Sequence, residues 1–369
     1  MVGALPRFRP LRPKASGDIV RLMDDRIDND FGRIRACLLG EGRPDRVPLW
    51  ELHADRPVKE AFLNHPIESI ADEVDFWRLA GYDYVPLSAG LVRVAGVLGG
   101  TSATSDYSVY EESSEISWAQ EHEGPITSFA TLRDFPWPDG DDIDLAFIEE
   151  AAALLPPRMG IIAIIGKIFT SVWMLMGLER FAIATVEEPD LVAAVFEKMA
   201  EIQLRVCERC AAIPRVGGLW MSDDIAYTEG LLVSPAVLRE HLFPPYRRVG
   251  ELCRREGLAY IYHSDGDLTE VMEDIVGCGF HGLHPIEPKA MDARALKRQW
   301  GDRLALLGNV EMDLLARGTP EQVAAMAEDR VRDLGYDGRY GLGSSNSVSY
   351  YVPLANYLAM REVGLSSKV

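Results

Sequence analysis

The chain has 369 residues, of which 47% are hydrophobic and 26% are charged, and this composition excludes a long disordered protein. Its 38 basic and 57 acidic residues give a net charge of −19, which argues against a nucleic-acid-binding protein and against adhesion to anionic membranes. The 5 cysteines are few and odd in number, so we expect no disulfide scaffold and predict a cytoplasmic protein.

In chain order, residues 1–25 come first, and we predict that they form a basic N-terminal arm. From residue 26 onward, short apolar runs typical of buried strands alternate with longer amphipathic segments typical of helices. The apolar runs are residues 47–51, 82–87, 160–165, 216–221, 259–263, 281–284, 304–307 and 339–342. Eight strand–helix units predict an α/β fold with a parallel sheet, a single (β/α)8 TIM barrel over residues 26–369. An open, doubly wound sheet is the alternative.

Two segments need a separate interpretation. Residues 91–137 are rich in Gly, Ser and Thr and contain alternating stretches such as YSVYEE, so we predict an inserted hairpin or excursion after the second strand. Residues 160–177 are apolar enough to suggest a membrane span, but Lys167 and two hydroxyl residues interrupt them. A buried strand followed by the start of a helix explains this run better, and we predict no membrane association.

Polar residues gather where the predicted strands end. In a (β/α)8 barrel the active site lies at the carboxyl ends of the strands, so these residues are expected to share one cleft. The candidates, in chain order, are His53, Arg56, Asp224, Tyr227, His263, Asp265, Glu287, Asn309 and Asn346.

His263 and Asp265 carry the sharpest signal. His263 ends a strongly apolar run and Asp265 follows two positions later, so on an extended segment both side chains point to the same side. A histidine and a carboxylate in this arrangement can share one zinc ion. In the alternative interpretation, Asp265 caps the next helix and His263 hydrogen-bonds a neighbour.

The acidic pair Asp223-Asp224 follows the fourth predicted strand. Adjacent residues on an extended chain diverge, so only one of the two need reach the cleft, and the other is expected to serve the backbone of the following loop. Asp224, Glu287 or Glu311 would complete a metal site, and a cleft carboxylate is also a candidate general acid or base.

Two weaker motifs have simple structural interpretations. Cys207-x-x-Cys210 lies within a predicted helix, and we interpret it as packing rather than as a metal or redox site. Gly341-x-Gly343 lacks the third glycine of a dinucleotide-binding fingerprint, although phosphate binding by a late barrel loop stays open.

Four stretches give the chain a specific family resemblance. They read GKIFTSVWMLMGLERF, GLWMSDDIAYTEGLLVSPAVLREHLFPPYRRV, YIYHSDGDLTEVMEDIVGCGFHGLHPIEP and WGDRLALLGNVEMDLLARGTPEQV. In their order and spacing, residues 45–362 resemble the uroporphyrinogen decarboxylase superfamily, which implies a (β/α)8 barrel. One branch of that superfamily decarboxylates uroporphyrinogen III without a cofactor. The other branch contains methyltransferases, typically zinc-dependent, that exchange a methyl group with a corrinoid protein.

The resemblance to the decarboxylase branch fails at the site. That branch has an arginine-rich RQAGRY-like segment after the first strand, which engages the carboxylates of the substrate. Here residues 51–57 read ELHADRP, and only Arg56 matches one of those arginines. The catalytic aspartate after the second strand has no counterpart in VPLSAGL.

The methyltransferase branch fits better, with one departure. His263 matches the histidine of its His-x-Cys zinc motif, but Asp265 stands where the cysteine would be, and Ser344 or Ser345 stands near the late cysteine. A His/Asp site is harder than a thiolate site, so it suits an oxygen-bearing donor better than a thiol acceptor.

The resemblance therefore implies a methyltransferase that moves a methyl group from a small donor to the cobalt of a corrinoid (cobalamin) carried by a separate protein. We expect an O-methyl donor, such as a methoxylated aromatic, and a monomer or homodimer. The expected catalytic residues are His263, Asp265, Asp224 and Glu287, with zinc on His263 and Asp265, and the expected substrate-binding residues are His53, Arg56, Tyr227, Asn309 and Asn346. The alternatives are a uroporphyrinogen decarboxylase-type enzyme and a non-catalytic barrel that binds a small molecule or tetrapyrrole.

Overall fold

The core of the fold is a seven-stranded parallel sheet. The structure is a computed structural model, and it describes residues 27–89 and 124–369. In sheet order the strands are β1 (Tyr84–Ser88), β2 (Gly160–Ile165), β3 (Val216–Ser222), β6 (Ala259–His263), β7 (Gly282–His284), β8 (Ala305–Val310) and β9 (Tyr340–Ser344). Every pairing in this sheet is parallel, as the strand–helix alternation predicts.

Helices connect these strands, as parallel pairing requires. In the described ranges they are α1 (Phe31–Leu39), α2 (Arg56–Leu63), α3 (Ile70–Leu79), α4 (Phe129–Asp134), α5 (Ala146–Leu154), α6 (Ile168–Met176), α7 (Leu178–Glu187), α8 (Pro189–Ala212), α9 (Pro235–Val237), α10 (Phe243–Glu256), α11 (Met272–Gly277), α12 (Ala293–Trp300), α13 (Met312–Arg317), α14 (Pro320–Leu334) and α15 (Leu354–Ser366). A π-helical turn, Leu238–Leu242, joins α9 to α10, and a 3₁₀ turn, Thr269–Val271, precedes α11. A short antiparallel ribbon, β4 (Ala226–Tyr227) and β5 (Gly230–Leu231), follows β3.

The prediction of a first strand at residues 47–51 is wrong in its detail. This segment forms one isolated bridge, Leu49 to Leu342 of β9, rather than a regular strand. On its other side the hydroxyl of Tyr84 in β1 accepts from the N–H of Glu51 at 3.0 Å and donates to its carbonyl at 2.8 Å. A tyrosine side chain therefore stands where a strand neighbour's backbone would be. Because both edge strands contact the same segment, the sheet is curled, and the described residues form seven regular barrel strands instead of eight.

The interior of the curled sheet is filled by aromatic rings. Trp50 lies 5.0 Å from the ring of Tyr84 and 5.2 Å from the ring of Trp220, measured between centroids. Gly343 of β9 lies so close to this segment that a Cβ added there would come within 1.6 Å of the Trp50 carbonyl oxygen. The Gly341-x-Gly343 motif therefore belongs to close packing of the last strand against Trp50.

Three sequence predictions concern segments outside the barrel strands. The predicted arm, residue 26 of the predicted barrel and residues 91–123 of the predicted excursion lie outside the described residues. The described remainder, residues 124–137, contains α4 instead of a hairpin strand. The apolar run at 160–177 is β2 followed by α6, as predicted. No single helix in the described part of the chain is long and apolar enough to cross a membrane, and only the pair α6–α7, bent by 95°, passes that test jointly.

The five cysteines are buried and unpaired. Cys207 and Cys210 lie on the buried face of α8, which confirms their interpretation as packing residues. Burial raises the pKa of the Cys210 thiol to about 12, which keeps it protonated and unreactive at neutral pH.

Candidate functional site

Three potential metal ligands converge at the carboxyl ends of two neighbouring strands. Asp224 follows β3, His263 is the last residue of β6, and Asp265 lies two residues beyond it. The parallel register sets Ser222 of β3 opposite His263, which brings the two chain ends together. One ligand atom from each of the three side chains lies within 4.8 Å of the others. His263 Nε2 stands 3.7 Å from Asp224 Oδ1.

The two adjacent aspartates have opposite environments. Asp223 is 1% exposed, and its carboxylate accepts hydrogen bonds from the N–H groups of Phe169 at 2.7 Å and Thr170 at 2.9 Å in α6. The hydroxyls of Thr170 and Tyr246 also donate to it. Burial raises the pKa of Asp223 to about 6 despite these bonds. Asp223 thus anchors the start of α6, whereas the Asp224 side chain is 51% exposed at the cluster.

The structure thus agrees with the expectation that only one aspartate of the 223–224 pair reaches the cleft. One aspartate reaches the cluster and the other serves backbone groups. The backbone it serves belongs to α6, however, and not to the loop that follows Asp224, because α6 begins beside the end of β3 where Lys167 N–H donates to Ser222 at 3.1 Å.

Asp265 has one satisfied oxygen and one unsatisfied oxygen. Oδ2 accepts from Asn346 Nδ2 at 2.8 Å, whereas Oδ1 is buried and has no hydrogen-bond partner among the described residues. Burial, together with the negative charges of Asp224 and Glu287, raises the pKa of Asp265 to about 7. A buried carboxylate oxygen with no donor beside an imidazole and a second carboxylate is an arrangement that a cation would satisfy.

The alternative role for Asp265, capping the next helix, falls to another residue. Asp267 Oδ1 accepts from the N–H of Thr269, the first residue of the following 3₁₀ turn, at 2.9 Å. Asp265 instead receives its contacts from the cluster itself, since its own N–H donates to Asp224 Oδ1 at 2.9 Å. The backbone therefore ties Asp265 to Asp224, and Asn346 holds its side chain.

His263 is 4% exposed, and its two ring nitrogens face different partners. Nε2 faces Asp224, and Nδ1 lies 2.8 Å from Nδ1 of His284 on the neighbouring strand. Burial lowers the pKa of His263, and the positive charge of Lys167 lowers it further, although Asp224 acts in the opposite direction. Burial likewise holds the pKa of His284 well below its ordinary value, so both rings are neutral at physiological pH.

A cavity of about 190 Å³ opens beside Asp265. Its lining residues come from the loops after β6, β7, β8 and β9: Asp265, Glu287, Pro288, Lys289, Glu311, Met312, Asp313, Ser345 and Asn346. Lys289 is paired with Asp313 at 2.7 Å, which leaves the carboxylates in excess. Glu287 accepts from the Thr228 hydroxyl of the β4–β5 ribbon at 3.4 Å. The cavity is therefore acidic on several sides.

His53 and Arg56, two predicted substrate-binding residues, lie beside the loop after β9 and at the start of α2. His53 Nε2 is 3.3 Å from Asp55 Oδ1, and the other oxygen of Asp55 accepts from Tyr350 N–H at 2.7 Å. The Arg56 guanidinium contacts Glu60 at 2.8 Å and the carbonyl of Ile67 at 2.7 Å. The structure thus engages Arg56 with its own helix and loop, outside the metal-ligand cluster.

Of the other predicted substrate-binding residues, Asn346 lines the cavity, Tyr227 lies on the β4–β5 ribbon, and Asn309 holds a neighbouring loop in place. Asn346 bonds Asp265 directly and lines the cavity. The Tyr227 side chain is 52% exposed on the ribbon, and its carbonyl accepts from Asp267 N–H at 3.0 Å. Asn309 is buried, and its Nδ2 donates to the carbonyl of Ile286 at 2.6 Å, which fixes the loop that carries Glu287. Asn309 therefore contributes to the site indirectly, by holding the loop that carries Glu287.

Two buried polar groups near the strand ends carried too weak a signal in the sequence to be assigned a role. Glu51 bonds Ser344 across the first and last elements, but a single acid at the end of an apolar run has no motif. His284 was visible as a histidine at a strand end, and its pairing with His263 depends on the register of β6 and β7. Strand register is what a sequence pattern of this kind leaves open.

Comparisons with known proteins agree with the geometry of the fold. A family model described as Uroporphyrinogen decarboxylase (URO-D) matches residues 119–364. Among solved structures, 37 chains match. One of them, a methyltransferase from Methanosarcina mazei, has a TM-score of 0.71 and 18% sequence identity over 90% of this chain and 96% of its own. At that identity the likeness shows the fold. A search of curated proteins gives no match.

Proposed function

Because this chain belongs to the uroporphyrinogen decarboxylase (URO-D) family, we propose that it is a methyltransferase that moves a methyl group from a small O-methyl donor to the cobalt of a corrinoid on a separate protein. The observation that carries this proposal is the Asp224–His263–Asp265 cluster, whose ligand atoms lie within 4.8 Å of one another at the strand ends. The similar solved structure is itself a methyltransferase, which is compatible with the proposal.

The cluster fits a zinc ion. Imidazole nitrogen and carboxylate oxygen are both zinc ligands, and a catalytic site needs three protein ligands and one open position. His263 supplies the nitrogen, while Asp224 and Asp265 supply oxygens, one of them the unsatisfied Oδ1 of Asp265. When bound, zinc would supply Lewis-acid polarisation of the donor's ether oxygen, which makes a poor leaving group easier to displace.

The remaining residues hold the ligands and serve the leaving group. Asn346 donates to Asp265 Oδ2, which leaves Oδ1 as the oxygen without a hydrogen-bond partner among the described residues and therefore as the candidate ligand atom. Cleavage of a methyl–oxygen bond gives the methyl carbon to the cobalt nucleophile and leaves an oxygen that must gain a proton. Glu287 lines the same cavity as Asp265, so we assign it that proton transfer.

We assign donor recognition to Asn346, which lines the cavity, together with Tyr227, His53 and Asn309, which lie outside its lining. Asn346 offers an amide at the wall, and Tyr227 offers an exposed ring on the ribbon. His53 contributes through Asp55, which bonds Tyr350 in the loop after β9, and Asn309 contributes by fixing the loop that carries Glu287.

The charges at the site favour methyl transfer over decarboxylation of a porphyrinogen. A substrate with many carboxylates needs cationic partners, but the cavity is lined by Asp265, Glu287 and Glu311, and Lys289 is paired with Asp313. Arg56, the one arginine that matches the decarboxylase signature, is engaged by Glu60 and Ile67. These contacts support the methyltransferase and argue against the carboxy-lyase.

The test is methylation of free cob(I)alamin, followed by its visible spectrum, with methoxylated aromatic donors and zinc-loaded protein. We expect donor-dependent methylcobalamin formation that falls at least about 100-fold in His263→Ala. His65→Ala is the matched control, since His65 is an exposed histidine outside the cluster. If the native protein binds the donor without turning it over, and His263→Ala only weakens that binding, the result supports the non-catalytic alternative. Carbon dioxide release from uroporphyrinogen would overturn the proposal.

A further inference from the structure

His284 lies directly behind the proposed ligand His263. The parallel register pairs the two residues across β6 and β7. Their rings stack with centroids 5.0 Å apart and an angle of 29° between the planes, and the two Nδ1 atoms are 2.8 Å apart. A hydrogen bond between the two Nδ1 atoms forms only if one Nδ1 carries a proton and the other presents a lone pair. The tautomer of one ring therefore sets the tautomer of the other.

A metal on His263 decides which tautomer is present. To act as a ligand, Nε2 of His263 must present its lone pair toward Asp224 and Asp265, so the ring proton must reside on Nδ1. That proton then points at His284 Nδ1, which accepts it, and His284 carries its own proton on Nε2. With a metal on Nε2, the 2.8 Å hydrogen bond would therefore run from His263 as donor to His284 as acceptor.

The His284 ring is held rigidly by its surroundings. It is fully buried, and the ring of Trp220 stands 5.1 Å away at 88°. Gly308, at φ 89°, leaves room for it, because a Cβ there would lie 3.3 Å from His284 Cδ2. Among the described residues, His284 Nε2 has no hydrogen-bond partner. Within the described ranges, the bond to His263 is therefore the only hydrogen bond of the His284 ring.

We propose that His284 is a positioning residue for the metal centre: it accepts the Nδ1 proton of His263, and so fixes both the orientation of that ring and the tautomer that presents Nε2 to a metal. This inference rests on the metal site of the proposed function. It adds a residue that would touch neither metal nor donor, and whose effect passes entirely through one hydrogen bond.

The experiment measures zinc affinity by competition with a chromophoric chelator in two variants at position 284. His284→Phe keeps a flat ring and removes the acceptor, and we expect zinc affinity to fall about 10- to 100-fold, the usual cost of losing such an outer partner. His284→Asn places an amide oxygen near the Nδ1 position, and we expect affinity within about threefold of the native protein. His281→Asn is the matched control, since His281 is a nearby half-buried histidine whose Nδ1 accepts from Tyr260 N–H at 2.9 Å.

The outcomes separate this inference from the proposed function. If native protein binds no zinc, both are overturned. If native protein binds zinc and His284→Phe binds it equally well, only the role of His284 is overturned. Should the phenylalanine variant not fold, NMR of isotope-labelled histidines in the zinc-loaded native protein gives the answer. The inference predicts protonated Nδ1 on His263 and protonated Nε2 on His284, and the opposite tautomers would contradict it.

Discussion

Glu51 and Ser344 join the extended segment before the sheet to the last strand of the curled sheet through both oxygens of one buried carboxyl group. Glu51 Oε1 lies 2.7 Å from the N–H of Ser344, and Oε2 lies 2.6 Å from its hydroxyl. Glu51 is fully buried, and burial raises its pKa to about 8. This contact helps to close the curled sheet where regular strand pairing is reduced to a single bridge at Leu49.

The raised pKa of Glu51 predicts that stability declines as pH rises. The folded protein keeps the Glu51 proton up to about pH 8, whereas the unfolded chain loses it near its ordinary pKa of 4.5. The stabilisation is therefore complete below pH 4.5 and is lost between there and pH 8. Glu51→Gln keeps an acceptor for the Ser344 N–H and removes the ionisable group, so it should remove on the order of 3 to 5 kcal/mol of this pH dependence. Urea unfolding of the native protein and of Glu51→Gln between pH 4.5 and pH 8 measures this difference. If the free energy of unfolding depends on pH identically in the two proteins, the prediction is wrong.

Alanine substitution should destabilise the protein strongly at Asp223 and only slightly at Asp224. Asp223→Ala leaves the N–H groups of Phe169 and Thr170 and the hydroxyl of Tyr246 without their acceptor, so it should lower the free energy of unfolding by roughly 3 to 5 kcal/mol. Asp224→Ala removes a half-exposed side chain and should change stability by less than about 1 kcal/mol while weakening zinc binding. Denaturant unfolding with metal titration measures both, and equal destabilisation by the two would refute the assignment.

Close packing at Gly343 predicts a strict requirement for glycine. A Cβ there would come within 1.6 Å of the Trp50 carbonyl oxygen, which is backbone and cannot move aside cheaply. Gly343→Ala should therefore cost at least about 3 kcal/mol of unfolding free energy. Gly277→Ala is the control, because nothing lies within 4 Å of a Cβ at that position, and it should change stability by less than about 1 kcal/mol.

The acidic cavity predicts a preference for uncharged donors. Glu287 and Glu311 repel an anion, so a neutral methoxylated aromatic should have a KM at least about tenfold lower than its carboxylated analogue. Glu311→Gln should narrow that gap, whereas Glu328→Gln, a substitution outside the cavity lining, should leave it unchanged. A native enzyme that prefers the carboxylated donor would contradict this account.

The sequence pattern was a good guide to the strands that are unbroken apolar runs. Residues 160–165 and 259–263 form strands at the predicted bounds, because fully buried parallel strands appear as unbroken apolar runs. The first predicted strand failed, since an apolar run does not reveal that Tyr84 uses its hydroxyl to bond Glu51 in place of a backbone ladder.

At the site, the two-residue spacing of His263 and Asp265 was informative because both lie at the end of one strand. The sequence did not indicate which aspartate of the 223–224 pair anchors α6, since that depends on where the neighbouring helix begins. It also left open the His263–His284 bond, which depends on register between separate strands.

The proposed function depends on zinc binding by Asp224, His263 and Asp265. The most direct test is elemental analysis of the purified native protein and of His263→Ala and Asp265→Ala, each after reconstitution with zinc and removal of excess metal. We expect about one zinc per chain in the native protein, close to none in either variant, and full content in the His65→Ala control. Absence of zinc from the native protein, or undiminished zinc in both variants, would contradict it.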